Sequence, residues 1–407
     1  MSDPENHPSS CSDSGDKANV ALRDLARKLK QQAGLLGFAE ARLAPAVEPA
    51  RYAEFLDWLN NGYAGEMNYL SDRREAYRDP GSILSGVRTI LILALPYSTA
   101  VPSANALTHG VGRIARYTSG TVDYHDWIHQ RLKQLGRWLE NNDRSSTNAD
   151  QEPLLWRGVV DTAPILEREF AQLSGLGWIG KNTLLLNRNL GSYFFLACLL
   201  TNLDLPCDPT DALDHCGSCQ ACLTACPTSA FTKPHVLDAT RCISYLTIEQ
   251  RSLPPPELRS KMGDWLYGCD ICQEVCPWNR KAPSLIETSF QPAPQFTELS
   301  LVEILGMNAE QFRRHFRRTP FWRAKRRGII RNAAFVAANQ LAMECVPALK
   351  ALLYDEEELI RAAAVWALTQ MPLDNVNSIL EPIRHEESSP LVQSELKRYF
   401  QRSDSPS

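Results

Sequence analysis

The sequence predicts a mixed α+β and α/β chain in three parts: a mixed-sheet domain, a small cysteine-bound module and a run of short helical repeats. Three observations carry this reading. Eight of the twelve cysteines lie between Cys216 and Cys276. The residues before them alternate helix-like and strand-like apolar segments. The residues after them contain a weak repeat with a period of 30. The expected boundaries are 19–205, 206–285 and 286–402, with disordered tails at 1–18 and 403–407.

In the first part, Asn19–Leu36 has helical periodicity, with Leu22, Leu25, Ala26 and Leu29 on one face. Tyr52–Leu59 also reads as helix. Thr89–Leu95 and Trp156–Val160 read as strands, the second running into Asp161. The helix-like Ile165–Leu173 follows. Thr183–Leu186 and Tyr193–Leu200 read as further strands, joined by a turn over Asn187–Ser192. The polar stretch Asn141–Pro153 reads as a surface loop. Gly175, Gly177 and Gly180 match a dinucleotide fingerprint, but such a motif follows a strand and opens a helix. Here it follows a helix and leads into strand-like sequence, so these glycines are expected to admit some other large ligand closely.

Asp161 has two readings. At the end of an apolar strand its carboxyl would be partly desolvated, its pKa raised, and the group useful as a proton donor. It would equally serve as N-cap of the helix starting near Pro164.

The cysteines carry the most specific signal. The first group is Cys216-x2-Cys219-x2-Cys222-x3-Cys226-Pro227, and the second is Cys269-x2-Cys272-x3-Cys276-Pro277, with Cys242 upstream. A cubane cluster needs four soft thiolates, and a C-x2-C-x2-C loop supplies three, while the next Cys-Pro reaches the other cluster. One 4Fe-4S cluster would therefore take Cys216, Cys219, Cys222 and Cys276. The other would take Cys226, Cys242, Cys269 and Cys272. Structural zinc prefers paired C-x2-C knuckles, and a disulfide framework needs an oxidising compartment that nothing here suggests. Cys198 sits in an apolar run as a core residue.

After the cysteines, Gln311–Arg331 holds nine Lys or Arg and no acidic residue: Arg313, Arg314, Arg317, Arg318, Arg323, Lys325, Arg326, Arg327 and Arg331. Phe312, Phe316, Phe321 and Trp322 are interleaved. That pattern suits phosphate contact and base stacking, although an amphipathic helix with solvated arginines gives the same pattern. Ile330–Ala334 recurs as Ile360–Ala364, which suggests a short solenoid that must pack on the rest of the chain. The net charge of −4 gives no whole-molecule signature of nucleic-acid binding. The polar, acidic N-terminus has no apolar core like that of a leader peptide, and the apolar runs are too short to span a bilayer. A soluble, cytoplasmic, monomeric protein is expected.

Several stretches together resemble the epoxyqueuosine reductase family: ARYTSGTVDYHDWI (115–128), VVDTAPILERE (159–169), GWIGKNTLLL (177–186), GSYFFL (191–196), HCGSCQACLTACPT (215–228), RCISYLTIE (241–249) and YGCDICQEVCPWN (267–279). The resemblance runs from about residue 20 and includes C-terminal HEAT-like repeats. It implies a cobalamin cofactor beside the nearer cluster, with electrons from an unidentified donor passing through both clusters to cob(I)alamin. It implies reduction of an epoxide on the wobble base of queuosine-type tRNA, the last step of queuosine synthesis. Asp161 matches the family's proton donor. Tyr124, Trp178, Ile179, Gly180, Lys181, Asn182, Ser192, Ser244 and Asp270 lie in matching motifs and are candidate cobalamin contacts. The cluster of Cys226, Cys242, Cys269 and Cys272 is expected nearer the cobalamin. The competing reading is a dehalogenase-like corrinoid and iron–sulfur reductase for a small molecule, which has no need of the basic segment.

Overall fold

The computed structural model describes residues 13–97, 109–143, 153–210, 213–282 and 290–403. The surface loop expected at Asn141–Pro153 lies mostly outside these residues.

Its centre is a four-stranded sheet. The strands are β1 (Glu40–Pro45), β2 (Thr89–Pro96), β3 (Trp156–Val159) and β4 (Phe194–Thr201), in spatial order β1-β2-β4-β3. Every pairing in it is antiparallel. The expected mixed sheet is therefore corrected: the parallel pairing seen lies elsewhere, between Arg113–Ile114 and Trp265–Tyr267.

β2 is buried along nearly its whole length because both faces are covered. Leu91, Leu93 and Leu95 face one apolar cluster with Leu29 and Ile128, and Ile90, Ile92 and Ala94 face another with Phe170. The first helix runs from Asp13 to Leu35, so it begins inside the expected tail. The helices Tyr124–Asn142 and Glu167–Leu173 lie on opposite faces and bring their N-terminal turns to the sheet's edge near Asp161.

The expected strand Thr183–Leu186 shrinks to Leu185–Leu186, paired with Trp178–Ile179. Thr183 has φ +64 and forms the turn. A Cβ on Gly177 would collide with the Leu186 carbonyl. The glycines therefore allow this tight hairpin, and the ligand-approach reading is replaced by close packing of the chain on itself.

The remaining helices share one apolar core with the cysteine module. Ile243, Leu246 and Tyr267 from the module pack with Phe316, Phe335 and Val365 from the C-terminal region. The two repeat segments sit on neighbouring helices, Lys325–Gln340 and Glu358–Gln370, and Phe335 meets Trp366 edge-on at 5.0 Å. Beneath that pair Arg259 and Glu395, 2% and 5% exposed, form a two-pronged ion pair at 2.7 and 2.9 Å. Removing one partner strands the other charge, so Glu395→Ala is expected to cost about 3–5 kcal/mol, read as a fall in denaturant midpoint.

Candidate active site

Asp161 stands on the loop that leaves β3, with φ +57. It does not cap the helix: that helix begins at Glu167, its cap position is Leu166, and no side chain caps it. Instead the Asp161 amide donates to Glu167 Oε1 at 2.9 Å. Arg73 holds the next carbonyl, that of Thr162, at 2.8 Å. The loop is thus pinned with the carboxylate pointing at the first turn of the Tyr124–Asn142 helix.

There Tyr124 Oη donates to Asp161 Oδ2 at 3.0 Å, and His125 Nε2 lies 3.3 Å from the same oxygen. The other ring nitrogen of His125 is 2.7 Å from Asp123 Oδ1. Tyr124 is sandwiched between His125 and Phe195, with centroids 4.0 and 4.3 Å away.

The Asp161 side chain is 63% exposed, yet protein on all sides penalises a charge there as burial would, so it stands in a deep open cleft. Burial opposes its ionisation, but His125 and Tyr124 outweigh that and hold the carboxyl below its ordinary value. The expectation of a raised Asp161 pKa is corrected. The raised groups are its neighbours. Burial works against a charged His125, but hydrogen bonds to Asp123 and Asp161 win, and its pKa is pushed up to about 9. Burial, with the Asp161 charge beside it, pushes Glu167 up to about 8.

The site lies within electrostatic reach of the cysteines. Arg168 is exposed, yet surrounding protein disfavours its charge; it interacts with Glu167, Asp161 and the thiol of Cys272. The eight thiols lie within electrostatic reach of one another. Cys222 feels Cys276 and Cys216, and Cys276 feels Cys219. Cys269 feels Cys242 and Cys272, and Cys242 feels Cys226. Cys272 also feels Cys222, of the other expected set. Among the described residues no three side chains converge on a single-ion site. A cubane needs its thiolates spaced farther apart than one ion does.

The candidate cofactor contacts also make contacts within the protein, several of them to the cysteine module. Trp178 packs against Cys276, and its buried Nε1, lacking a conventional partner, is directed at the Cys216 sulfur. Ile179 contributes its amide to Gln172 Oε1 at 3.1 Å. The Lys181 ammonium props the first cysteine loop through the carbonyls of Gly217 and Cys219, at 2.5 and 2.9 Å. The Gly180 carbonyl faces His235 Nδ1 at 3.1 Å. The Ser244 amide is directed at the Cys242 sulfur. Asp270 is buried; its oxygens accept from the Arg116 amide and Gln273 Nε2. Ser192 is held by Gln273 and Asn279. Asn182 differs: it is buried and its Nδ2 has no partner.

The basic segment also divides. Phe312, Phe316 and Phe321 are buried in the core and cannot stack on bases. Arg331 is fully buried and donates to the carbonyls of Leu246, Gln250 and Ser252, so its assignment to a nucleic-acid face is corrected. Arg326 is a strut between Met307 and Asp355. Arg313, Arg314, Arg317, Arg318, Arg323, Lys325 and Arg327 are exposed. The first four line a groove of about 680 Å³ with Thr121 and Phe296. Arg323 pairs with Glu249 at 2.9 Å, lies over the Tyr69 ring and exerts its charge on Asp161, so the basic surface reaches the rim of the cleft.

Comparison with known proteins gives this arrangement a family. A family model described as epoxyqueuosine reductase QueG, DUF1730 matches residues 78–162, and one described as a 4Fe-4S double cluster binding domain matches residues 215–279. The epoxyqueuosine reductase of Pseudomonas aeruginosa is 38% identical over 350 residues, spanning 84% of this chain and 94% of the relative. The chain belongs to the epoxyqueuosine reductase family. The Escherichia coli epoxyqueuosine reductase is 35% identical, over 86% of this chain and 90% of its own length. A solved epoxyqueuosine reductase bound to an epoxyqueuosine-modified tRNA-Tyr stem loop matches 93% of this chain and 99% of its own, at 27% identity and a TM-score of 0.85. The Bacillus subtilis epoxyqueuosine reductase, solved with its catalytic aspartate loop swung out of the active site, matches equal shares at 27% identity and a TM-score of 0.83. The chain is thus an oxidoreductase with a 4Fe-4S double-cluster domain. Among the described residues no helix is long and apolar enough to cross a membrane.

The sequence reading missed His125 and Glu167. Both lie in the stretches that carry the family resemblance, but only the fold shows that they flank Asp161.

Proposed function

We infer that this chain reduces epoxyqueuosine to queuosine at the wobble position of tRNA, with two 4Fe-4S clusters, cobalamin and Asp161 as proton donor. The observation that carries this reading is the cleft itself: one wall presents a hydrogen-bonded Asp161, and Arg168 links that acid electrostatically to Cys272. A proton source with a candidate cluster thiol within electrostatic reach of its neighbour Arg168 supports delivery of protons and electrons to one place.

The chain's own residues suit the groups this requires. The Ala230 amide and the Thr228 hydroxyl face the Cys226 sulfur at 3.4 Å, as is usual around cluster thiolates. Cys216, Cys219, Cys222 and Cys276 would hold one cluster and Cys226, Cys242, Cys269 and Cys272 the other; exposed Cys219 suits the former to the entry side, and the reach of Arg168 to Cys272 suits the latter to the side nearer Asp161. For cobalamin, the fitting features are the unpartnered Nδ2 of Asn182 and the open cleft faced by Tyr124, Asp161 and Arg168. Bound there, reduced cobalamin supplies a strong nucleophile and reductant. Loss of the epoxide oxygen as water consumes two electrons and two protons, and Asp161 delivers a proton to that oxygen. The seven exposed basic residues receive the tRNA backbone, flanked by a short HEAT-like array. The chain works as a cytoplasmic monomer.

The same cleft on a small-molecule reductase would leave the basic rim without a role. Nucleoside analysis of tRNA decides. A strain lacking this gene and any second reductase is expected to accumulate epoxyqueuosine and to regain queuosine when the gene is restored. Normal queuosine without the gene sinks the reading.

A further inference from the structure

The reaction consumes two protons, while Asp161 in the resting cleft is held in its ionised form. A donor that spends its life ionised needs a supply. Two neighbouring groups hold protons at neutral pH, and His125 is the one in direct line with the acid.

The geometry is specific. Both ring nitrogens of His125 face carboxylate oxygens, Asp123 Oδ1 at 2.7 Å and Asp161 Oδ2 at 3.3 Å. An ionised carboxylate only accepts, and a neutral imidazole has a single N–H. Satisfying both contacts therefore requires the imidazolium. Asp123 caps the helix that carries the ring: its Oδ1 accepts the His125 amide at 2.9 Å as well as facing Nδ1, so one carboxylate fixes both backbone and ring. The ring is 29% exposed, so solvent can recharge it.

We propose that His125 is a proton-relay residue: oriented by Asp123, it passes its proton to the ionised Asp161, which hands that proton on to the departing oxygen. The inference rests on the reaction assigned above and deepens it. In the step, the Nε2–H bond of His125 breaks and an O–H bond forms at Asp161 Oδ2. That O–H bond then breaks as the departing oxygen takes the proton, which leaves the imidazole neutral and Asp161 ionised as at rest. No electrons move, and the neutral ring then takes a proton from water. His125 acts through Asp161 and is a positioning and supply residue, without contact to the substrate.

The charged and titratable surroundings agree. From its own helix and cap the ring meets Asp123, Tyr124 and, one turn on, His129, whose own pKa is lowered chiefly by burial and then by the His125 charge. Across the cleft lie Asp161 and Glu167, and beyond Asp161 lies Arg323. The helix N-terminus disfavours a cation. The two carboxylates outweigh it, so the proton leaves His125 only as pH rises through about 9.

Two measurements test this. The first follows the His125 ring by 13C-histidine NMR in the full-length protein. Titration well above the ordinary histidine range is expected, with a clear downward shift in Asp123→Asn; titration near 6.5 overturns the relay. The second follows single-turnover reduction of an epoxyqueuosine stem loop by reduced, cobalamin-loaded protein across pH. The wild type should lose activity only above about pH 9. His125→Gln should fall by about 10²–10⁴ at pH 8 and by much less at pH 5, where solvent protonates Asp161 directly. An equal loss at both pH values marks a merely structural role and overturns the relay. With no turnover by wild type at any pH, the assigned reaction fails, and the imidazole titration alone decides His125.

Discussion

Asp161→Asn is expected to abolish reduction of epoxyqueuosine, by at least about 10³ in turnover, the upper part of the range for general acid catalysis. The substitution isolates chemistry from conformation. Asp161 sits at φ +57, where asparagine is as well tolerated as aspartate, so the loop should keep its path. The amide oxygen still accepts from Tyr124, and the backbone N–H still reaches Glu167. What is lost is a group that alternates between proton acceptor and donor. The hydrogen bonds of Asp161 run to Tyr124, His125 and Glu167, none of them a cysteine, so iron content and the cluster absorption band should match the wild type. The imidazolium of His125 also loses one of its two anions, so its titration should move below about 9. Near-normal turnover with intact clusters would remove Asp161 from the chemistry.

The parts of this site that were legible in the sequence are those fixed over short chain distances. Cys216, Cys219 and Cys222 lie on one short loop, so their spacing alone announces a cluster. β2 and β4 were legible because strands covered on both faces read as continuous apolar runs. The acid was found but its protonation was inverted. Asp161 and His125 are 36 residues apart, and no local pattern reports that a helix N-terminus will be laid against a strand end. The same limit explains the cofactor candidates. Lys181 and Trp178 lie in motifs that resemble the family's, and the three-dimensional pairing adds what those motifs alone do not report, that both side chains also brace the first cysteine loop. Phe312 and Phe316 stand four apart, which is also the spacing of one buried helix face, and the fold realises that plainer pattern.

The basic segment supplies the second large effect, because its arginines divide into two populations with opposite signatures. Arg313, Arg314, Arg317 and Arg318 are exposed along one groove; of these, Arg314 makes an ion pair to Glu310, itself largely exposed. Replacing all four with alanine should leave the melting temperature nearly unchanged, since exposed pairs contribute little. Binding of an anticodon stem loop should weaken sharply at low salt. Each phosphate contact to a single strand contributes about 0.7 to the salt dependence of the binding constant, so losing four lowers the slope by roughly 3. Arg331 is the converse. Its guanidinium is sealed in the core against three backbone carbonyls and the side chain of Asn332, and burial pushes its pKa down to about 9. Arg331→Met leaves those carbonyls without donors, at roughly 1–3 kcal/mol for each one unsatisfied. It should therefore lower the melting temperature strongly while the folded fraction keeps the wild-type salt slope. A four-alanine variant that melts early yet binds the stem loop normally would show the groove to be structural and would place the RNA on another face.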